Sequence, residues 1–148
     1  MSHDGECIFN QENHQGPNHN EILGTFIDEA LTFIDTRNIT LDAVAVSSGP
    51  GSYTGLRIGT SMAKGICYGR DAKLIVVPTL ELLAVPVLLG EMVAEDDALL
   101  VPMLDARRME VYAQVLDRAL KEVRGIQADV VTADTYRAFL DAHEVYFF

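Results

Sequence analysis

Residues Ser47 to Gly69 read SSGPGSYTGLRIGTSMAKGICYG, and the fold of the chain follows from this pattern. An apolar run, Asp42-Ala43-Val44-Ala45-Val46, leads into it as a strand. Gly49-Pro50-Gly51 turns the backbone, and a helix studded with small residues runs on from there. A strand, a glycine turn and a helix in that order aim backbone N–H groups at a helix N-terminus, where the dipole favours an anion. Ser48, Gly49, Gly51, Ser52, Thr54 and Arg57 are then the candidate phosphate or ligand contacts. The same glycines serve equally as a sharp connection with no ligand.

The spacing excludes two nucleotide motifs. A P-loop needs Gly, four residues, then Gly-Lys-Ser/Thr, with the lysine on phosphate and the hydroxyl on magnesium. Here the glycines run into Gly55-Leu56-Arg57, with no lysine or hydroxyl in place. A dinucleotide fingerprint is G-x-G-x-x-G, whereas Gly49-x-Gly51-x-x-x-Gly55 is one residue too long.

Inside the helix, Gly55, Gly59 and Ala63 recur every fourth residue, as do Ser61, Gly65 and Gly69. Each interior glycine costs about 1 kcal/mol against alanine, so close backbone contact has to offset the penalty. Two small stripes admit close approach on two sides, one to the chain's own sheet and one to a partner. Ile58, Met62 and Ile66 fall between the stripes as an apolar patch, with Arg57 and Lys64 on the polar face. A helix pressed only on its own sheet reads the same.

This stretch, followed by VPTLELLA at Val77 to Ala84 and LDARRMEVYAQV at Leu104 to Val115, resembles the TsaB family, also called YeaZ. These are bacterial subunits of the machinery that places threonylcarbamoyl on an adenosine of tRNA. The resemblance covers nearly the whole chain. It implies an α/β actin-like ATPase (RNase H-like) fold of two subdomains, with residues 1–90 in the first and 91–148 opening the second. It also implies a subunit that is not itself catalytic. Its partners would be a second copy, the catalytic subunit TsaD and a TsaE-type ATPase, with tRNA contacted only indirectly. On the family pattern the chain reads as truncated at both ends, lacking strands of the first subdomain between Glu6–Gln11 and Ala43–Ser47.

Composition limits the function. At 148 residues with 49% hydrophobic and 22% charged, the chain is globular. A net charge of −11 argues against broad phosphate contact, which rests on clustered Lys and Arg. Cys7 and Cys67 lack C-x-x-C spacing and fit a reducing compartment as small hydrophobes. The run Leu82 to Leu89 is too short for a membrane span and is interrupted by Pro86. No basic leader with an apolar core opens the sequence, so a cytoplasmic protein is expected.

Asp4-Gly5 is a hairpin-turn signal before a strand at Glu6 to Gln11, although Met1 to His3 is short for a partner strand. After a polar loop, Asn18 and Glu21 resemble a capping box. Ile22, Leu23, Phe26, Ile27, Ala30, Leu31 and Ile34 then form an apolar stripe at helical period. His14 and His19, five apart, read either as capping and surface residues or as a weak metal pair. The resemblance places the partner surface on this helix, Asn20 to Arg37, beside the glycine-rich helix, Thr54 to Gly69. Its residues would be His19, Leu23, Ile27, Gly55, Ile58, Gly59, Met62, Ala63 and Ile66.

Leu74 to Val77 is a short strand, and a helix runs from Pro78-Thr79 to Leu89. TsaD carries His-x-x-x-His at the corresponding turn and binds a metal with it. Here the positions are Thr79 and Leu83, so no metal centre is expected and a peptidase reading fails. Thr79 is expected to cap the helix and Leu83 to enter a core. An acidic linker follows, Gly90 to Asp97, where the domain boundary is placed. Ala98 to Met103 and Val111 to Leu116 form a hairpin around Asp105-Ala106-Arg107-Arg108. Asp105 and Arg107 are either turn residues or ligand contacts. Gly125 to Val131 is a strand, Ala133 to Ala142 a helix and Glu144 to Phe148 a strand. The alternative function is an actin-like nucleotide-binding ATPase or kinase. ATP or ADP would then sit at most at a site shared with a partner.

Overall fold

The computed structural model describes residues 1–13 and 19–148; His14 and Asn18 lie outside them, as do the side chains of His19 and Glu21. The chain divides into two compact units, Met1–Val46 with Arg57–Ile75, and Ser47–Leu56 with Val76–Phe148.

The first unit opens with a hairpin of two short strands, β1 (Ser2–His3) and β2 (Glu6–Cys7), paired Ser2 to Cys7 and His3 to Glu6. Asp4 and Gly5 both take positive φ, as a tight hairpin turn requires. Met1 to His3 therefore does supply a partner strand, and the expected longer strand stops at Cys7. The helix α1 (His19–Thr36) carries the apolar stripe, with Ile34 fully buried. Asn38 ends it in the left-handed conformation, and the N–H groups of Ile39 and Asn38 close back onto Ile34 O (3.0 Å) and Asp35 O (3.2 Å). That is a Schellman stop with asparagine in the usual glycine position.

β3 (Ala43–Ser47) and β4 (Lys73–Val77) neighbour each other in a two-stranded sheet, joined by α2 (Tyr53–Arg70). A crossover helix of this kind is what same-direction strands need. Asp71 stops α2 in the left-handed region, with Ala72 N–H on Cys67 O at 3.0 Å. The C-terminal ends of α1 and α2 are pinned by a two-pronged pair. Arg70 Nη1 and Nη2 donate to Asp35 Oδ1 and Oδ2 at 2.5 and 2.7 Å. The hydrogen bond from Arg70 holds the Asp35 carboxyl below its ordinary range, and Asp35 in turn raises Arg70.

The second unit is built on α3 (Thr79–Leu89) and a five-stranded sheet of β5 (Leu99–Val101), β6 (Met103–Arg107), β7 (Glu110–Leu116), β8 (Glu122–Val130) and β9 (Val145–Phe147). β7 is the hub. It pairs antiparallel with β6, with β8 and, at Leu100–Leu116, with β5; β9 adds to β5 in parallel. Successive residues of β5 point to opposite faces. Leu100 packs with Ala84, Val93, Ala98 and Leu116, while Leu99 and Val101 pack with Ala113, Val115 and Tyr136. A strand covered on both faces reads as a continuous apolar run, as Leu99-Leu100-Val101 does.

Ala84 is buried with Ala98, Leu100 and Leu116, so α3 packs with the strands after it. Two expectations need correction here. Leu83 is 36% exposed, since the Leu80–Ala84 line of this largely apolar helix faces inward. The helix expected from Ala133 shrinks to α4 (Arg137–Leu140). There Thr135 Oγ1 accepts Thr132 N–H at 2.8 Å and bonds Val130 O at 3.0 Å, offering the backbone a turn in place of a helix.

Candidate functional site

The glycine turn is closed on itself. Ser47 Oγ and Thr79 Oγ1 lie 2.5 Å apart. Gly49 N–H donates to Thr79 Oγ1 at 3.0 Å, and Thr79 N–H returns to Gly49 O at 2.9 Å. Ser48 donates to Val77 O through both N–H (2.9 Å) and Oγ (3.3 Å). Thr79 thus ties the turn to the next helix and is not an N-cap; Pro78 holds that position without a side-chain bond. Ser52 caps α2, taking Gly55 N–H on Oγ at 3.3 Å and Leu56 N–H on its carbonyl at 2.8 Å. The Gly49–Pro50 bond is cis. Gly49 has φ +104°, and a Cβ there would meet Leu56 Cδ1 at 3.0 Å, so only glycine fits. Of the nominated ligand contacts, Ser48, Gly49 and Ser52 make hydrogen bonds within the chain, and Ser48, Gly51, Ser52, Thr54 and Arg57 are exposed.

At the β6–β7 turn, Asp105 Oδ1 accepts Arg107 N–H at 2.8 Å, and Arg107, Arg108 and Met109 all take positive φ. The aspartate holds the turn, as an Asx residue does. The Arg107 side chain is exposed. Among the described residues no group of three or more His, Cys, Asp or Glu is arranged to hold a metal.

The two small stripes of α2 part company. Ala63 is buried, a Cβ on Gly59 would stand 3.9 Å from Val46, and a Cβ on Gly24 of α1 would stand 3.9 Å from Met62. Gly59 and Ala63 therefore serve packing inside the first unit. Leu23, Ile27 and Ile66 line a groove of about 800 Å³ in the same unit, together with Val44 and Phe9. Ile58 and Met62 are half-buried, and Gly55 is exposed. The other stripe is open: among the described residues, a Cβ on Gly65 or Gly69 would meet nothing within 4 Å. Beside it stands Tyr68, 94% exposed. Sequence reading named Ser61, Gly65 and Gly69 as a stripe but left Tyr68 out, although its helical position beside Lys64 and Gly65 was readable.

A family model described as TsaD: tRNA N6-adenosine threonylcarbamoyltransferase matches residues 8–141. The chain is 36% identical over 95 residues to the tRNA threonylcarbamoyladenosine biosynthesis protein TsaB of Bacillus subtilis. The chain belongs to this family, in its TsaB/YeaZ branch. The Bacillus match covers 64% of this chain and 39% of that protein, so the chain spans about two fifths of the length of the TsaB proteins it matches. A tRNA N6-adenosine threonylcarbamoyltransferase of Staphylococcus carnosus is 42% identical over 59 residues, 40% of this chain and 17% of that protein. Among solved structures, YeaZ from Pseudomonas aeruginosa aligns with a TM-score of 0.53 at 22% identity, covering 76% of this chain and 50% of that one. The TsaB/YeaZ chain thus has the actin-like ATPase (RNase H-like) α/β fold. Among the described residues no helix is long and apolar enough to cross a membrane.

Proposed function

We propose that this chain is the partner-holding part of a non-catalytic TsaB-type subunit. It would support the catalytic subunit TsaD in making threonylcarbamoyladenosine on tRNA, in the cytoplasm. The observation that carries the reading is the open Ser61–Gly65–Gly69 stripe of α2 with Tyr68 beside it. Interior glycines cost helix stability, and the inward stripe offsets that cost through its own sheet while the outward stripe has no such return among the described residues. An exposed tyrosine beside bare backbone is the kind of anchor on which interfaces concentrate their energy. The inward residues Gly59, Ala63, Leu23 and Ile27 would support that face from behind. A second copy, a TsaE-type ATPase and tRNA reached through these partners complete the assembly in this reading. No nucleotide would be held by the chain alone, because the N–H groups of Gly49 and Gly55 already donate within it.

The test is capture of the purified chain by TsaD. Gly65→Arg and Tyr68→Ala should each weaken capture at least about tenfold without lowering the melting temperature, since neither side chain position touches the core. Capture at wild-type strength by both variants would defeat the proposal. Gly59→Arg is unsuitable, because it breaks the chain's own packing on Val46. Titration of the chain with magnesium-ATP is expected to give no heat; millimolar or tighter binding would favour the ATPase alternative.

A further inference from the structure

The acidic stretch that reads as a plain linker reaches across the second unit to its last strand. Tyr146 Oη donates to Glu95 Oε2 at 2.6 Å. His143 Nδ1 lies 3.1 Å from Asp97 O, and 3.8 Å from its carboxylate. Arg118, just past β7, donates to Glu95 O at 3.2 Å and to Asp96 Oδ1 at 2.9 Å. Three stretches far apart in sequence thus converge at one end of β9.

β9 needs such help. It is three residues long and pairs with β5 alone among the described residues, and a strand this short is marginal on its own hydrogen bonds. Around it the charges are unbalanced, with Glu95, Asp96, Asp97, Asp141 and Glu144 on the same stretches as His143 and the single arginine, Arg118. Removing that cation leaves like charges facing one another at a distance where salt decides their strength.

We propose that residues 95–97, drawn in by Arg118, form an ionic clasp that fastens β9 onto β5, making β9 a strand that releases separately from the rest of its sheet. Release would uncover the edge of β5, whose three residues are all buried and whose unpaired backbone would be open to another strand. The clasp therefore governs whether this sheet edge is closed or sticky, a property set by charge and salt and not by the apolar core.

Native-state hydrogen exchange on the chain tests this, because three amides report β9 directly. Leu99 N–H bonds Glu144 O, Met103 N–H bonds Phe148 O and Phe148 N–H bonds Val101 O. Arg118→Ala should lower protection at these three about threefold, as loss of an exposed pair does, leave the β6–β7–β8 ladder unchanged, and lose most of its effect in high salt. Arg118→Lys should restore part of it. Tyr146→Phe should lower the same three amides without salt dependence. Unchanged protection at the three amides in Arg118→Ala, or an equal fall across the ladder, overturns the clasp.

Discussion

The two units use similar apolar patterns and bury them to different depths. In the second, Leu80, Ala84, Val93, Ala98 to Val101, Ala113, Val115, Leu116 and Tyr136 are all buried. In the first, whose two helices are longer and cleanly striped, only Ile34 and Ala63 among the described residues are. The difference lies in the sheets. Five strands give α3 and the turn around Tyr136 a surface on each face, whereas two strands offer α1 and α2 too little to close over, and a groove remains. A stripe on a helix is an offer of burial, and the sheet opposite decides how much of it is taken up.

Leu100→Ala attacks the better-packed side of that contrast. Leu100 has no exposed surface and sits at the crossing of β5, β7 and α3, so about 2–5 kcal/mol should be lost, read by chemical denaturation. The loss should abolish slow exchange in the second unit. If the first unit were equally well packed, Ile27→Ala in the groove wall would cost as much; it should cost clearly less.

Gly49→Ala should come next, at about 1–3 kcal/mol, because φ is positive and Leu56 Cδ1 blocks the new methyl. Normal stability for this variant would mean the turn is not held as described.

Tyr136 gives a pH signature to the second unit alone. It is 3% exposed, its hydroxyl donates to Asp129 Oδ2 at 2.6 Å, and Arg124 pairs with the same oxygen. Burial first, then the bond to Asp129, pushes its pKa up to about 12 from 10.0. The unfolded chain therefore loses this proton before the folded one does. The stabilisation is full below pH 10, and declines as pH rises from there towards 12. Of the five tyrosines, one should titrate last in ultraviolet difference spectra, and Tyr136→Phe should remove that step.

The smallest effect belongs to the first unit. Arg70→Ala breaks the pair with Asp35, which is open to solvent, so the change should be slight and should vanish in salt. A large loss here would mean the first unit depends on its surface pairs far more than its burial suggests.

Much of this architecture was legible. The periods of 2 and 3.6 located β3, α1, α2 and α3 to within a residue or two, and Gly49 announced a backbone that no other residue adopts. Three readings failed because they turn on side-chain partners and packing that period does not show. Thr79 looks like a cap until Ser47 and Gly49 arrive beside it. Leu83 looks like core, but α3 is apolar on most of its surface and period alone does not choose its inner face. Residues 133–136 favour a helix until Tyr136 is drawn towards Asp129 and the threonines take over the turn.

The candidate surface shows the same division. By itself, the sequence determined that α2 carries two stripes of small residues, because four-residue spacing on a helix is a matter of local geometry. Which stripe is consumed by packing and which stays bare was decided only when β3 brought Val46 up to Gly59 and buried Ala63. Spacing specifies where side chains point relative to one another, and contact depends on what the rest of the chain sets opposite them.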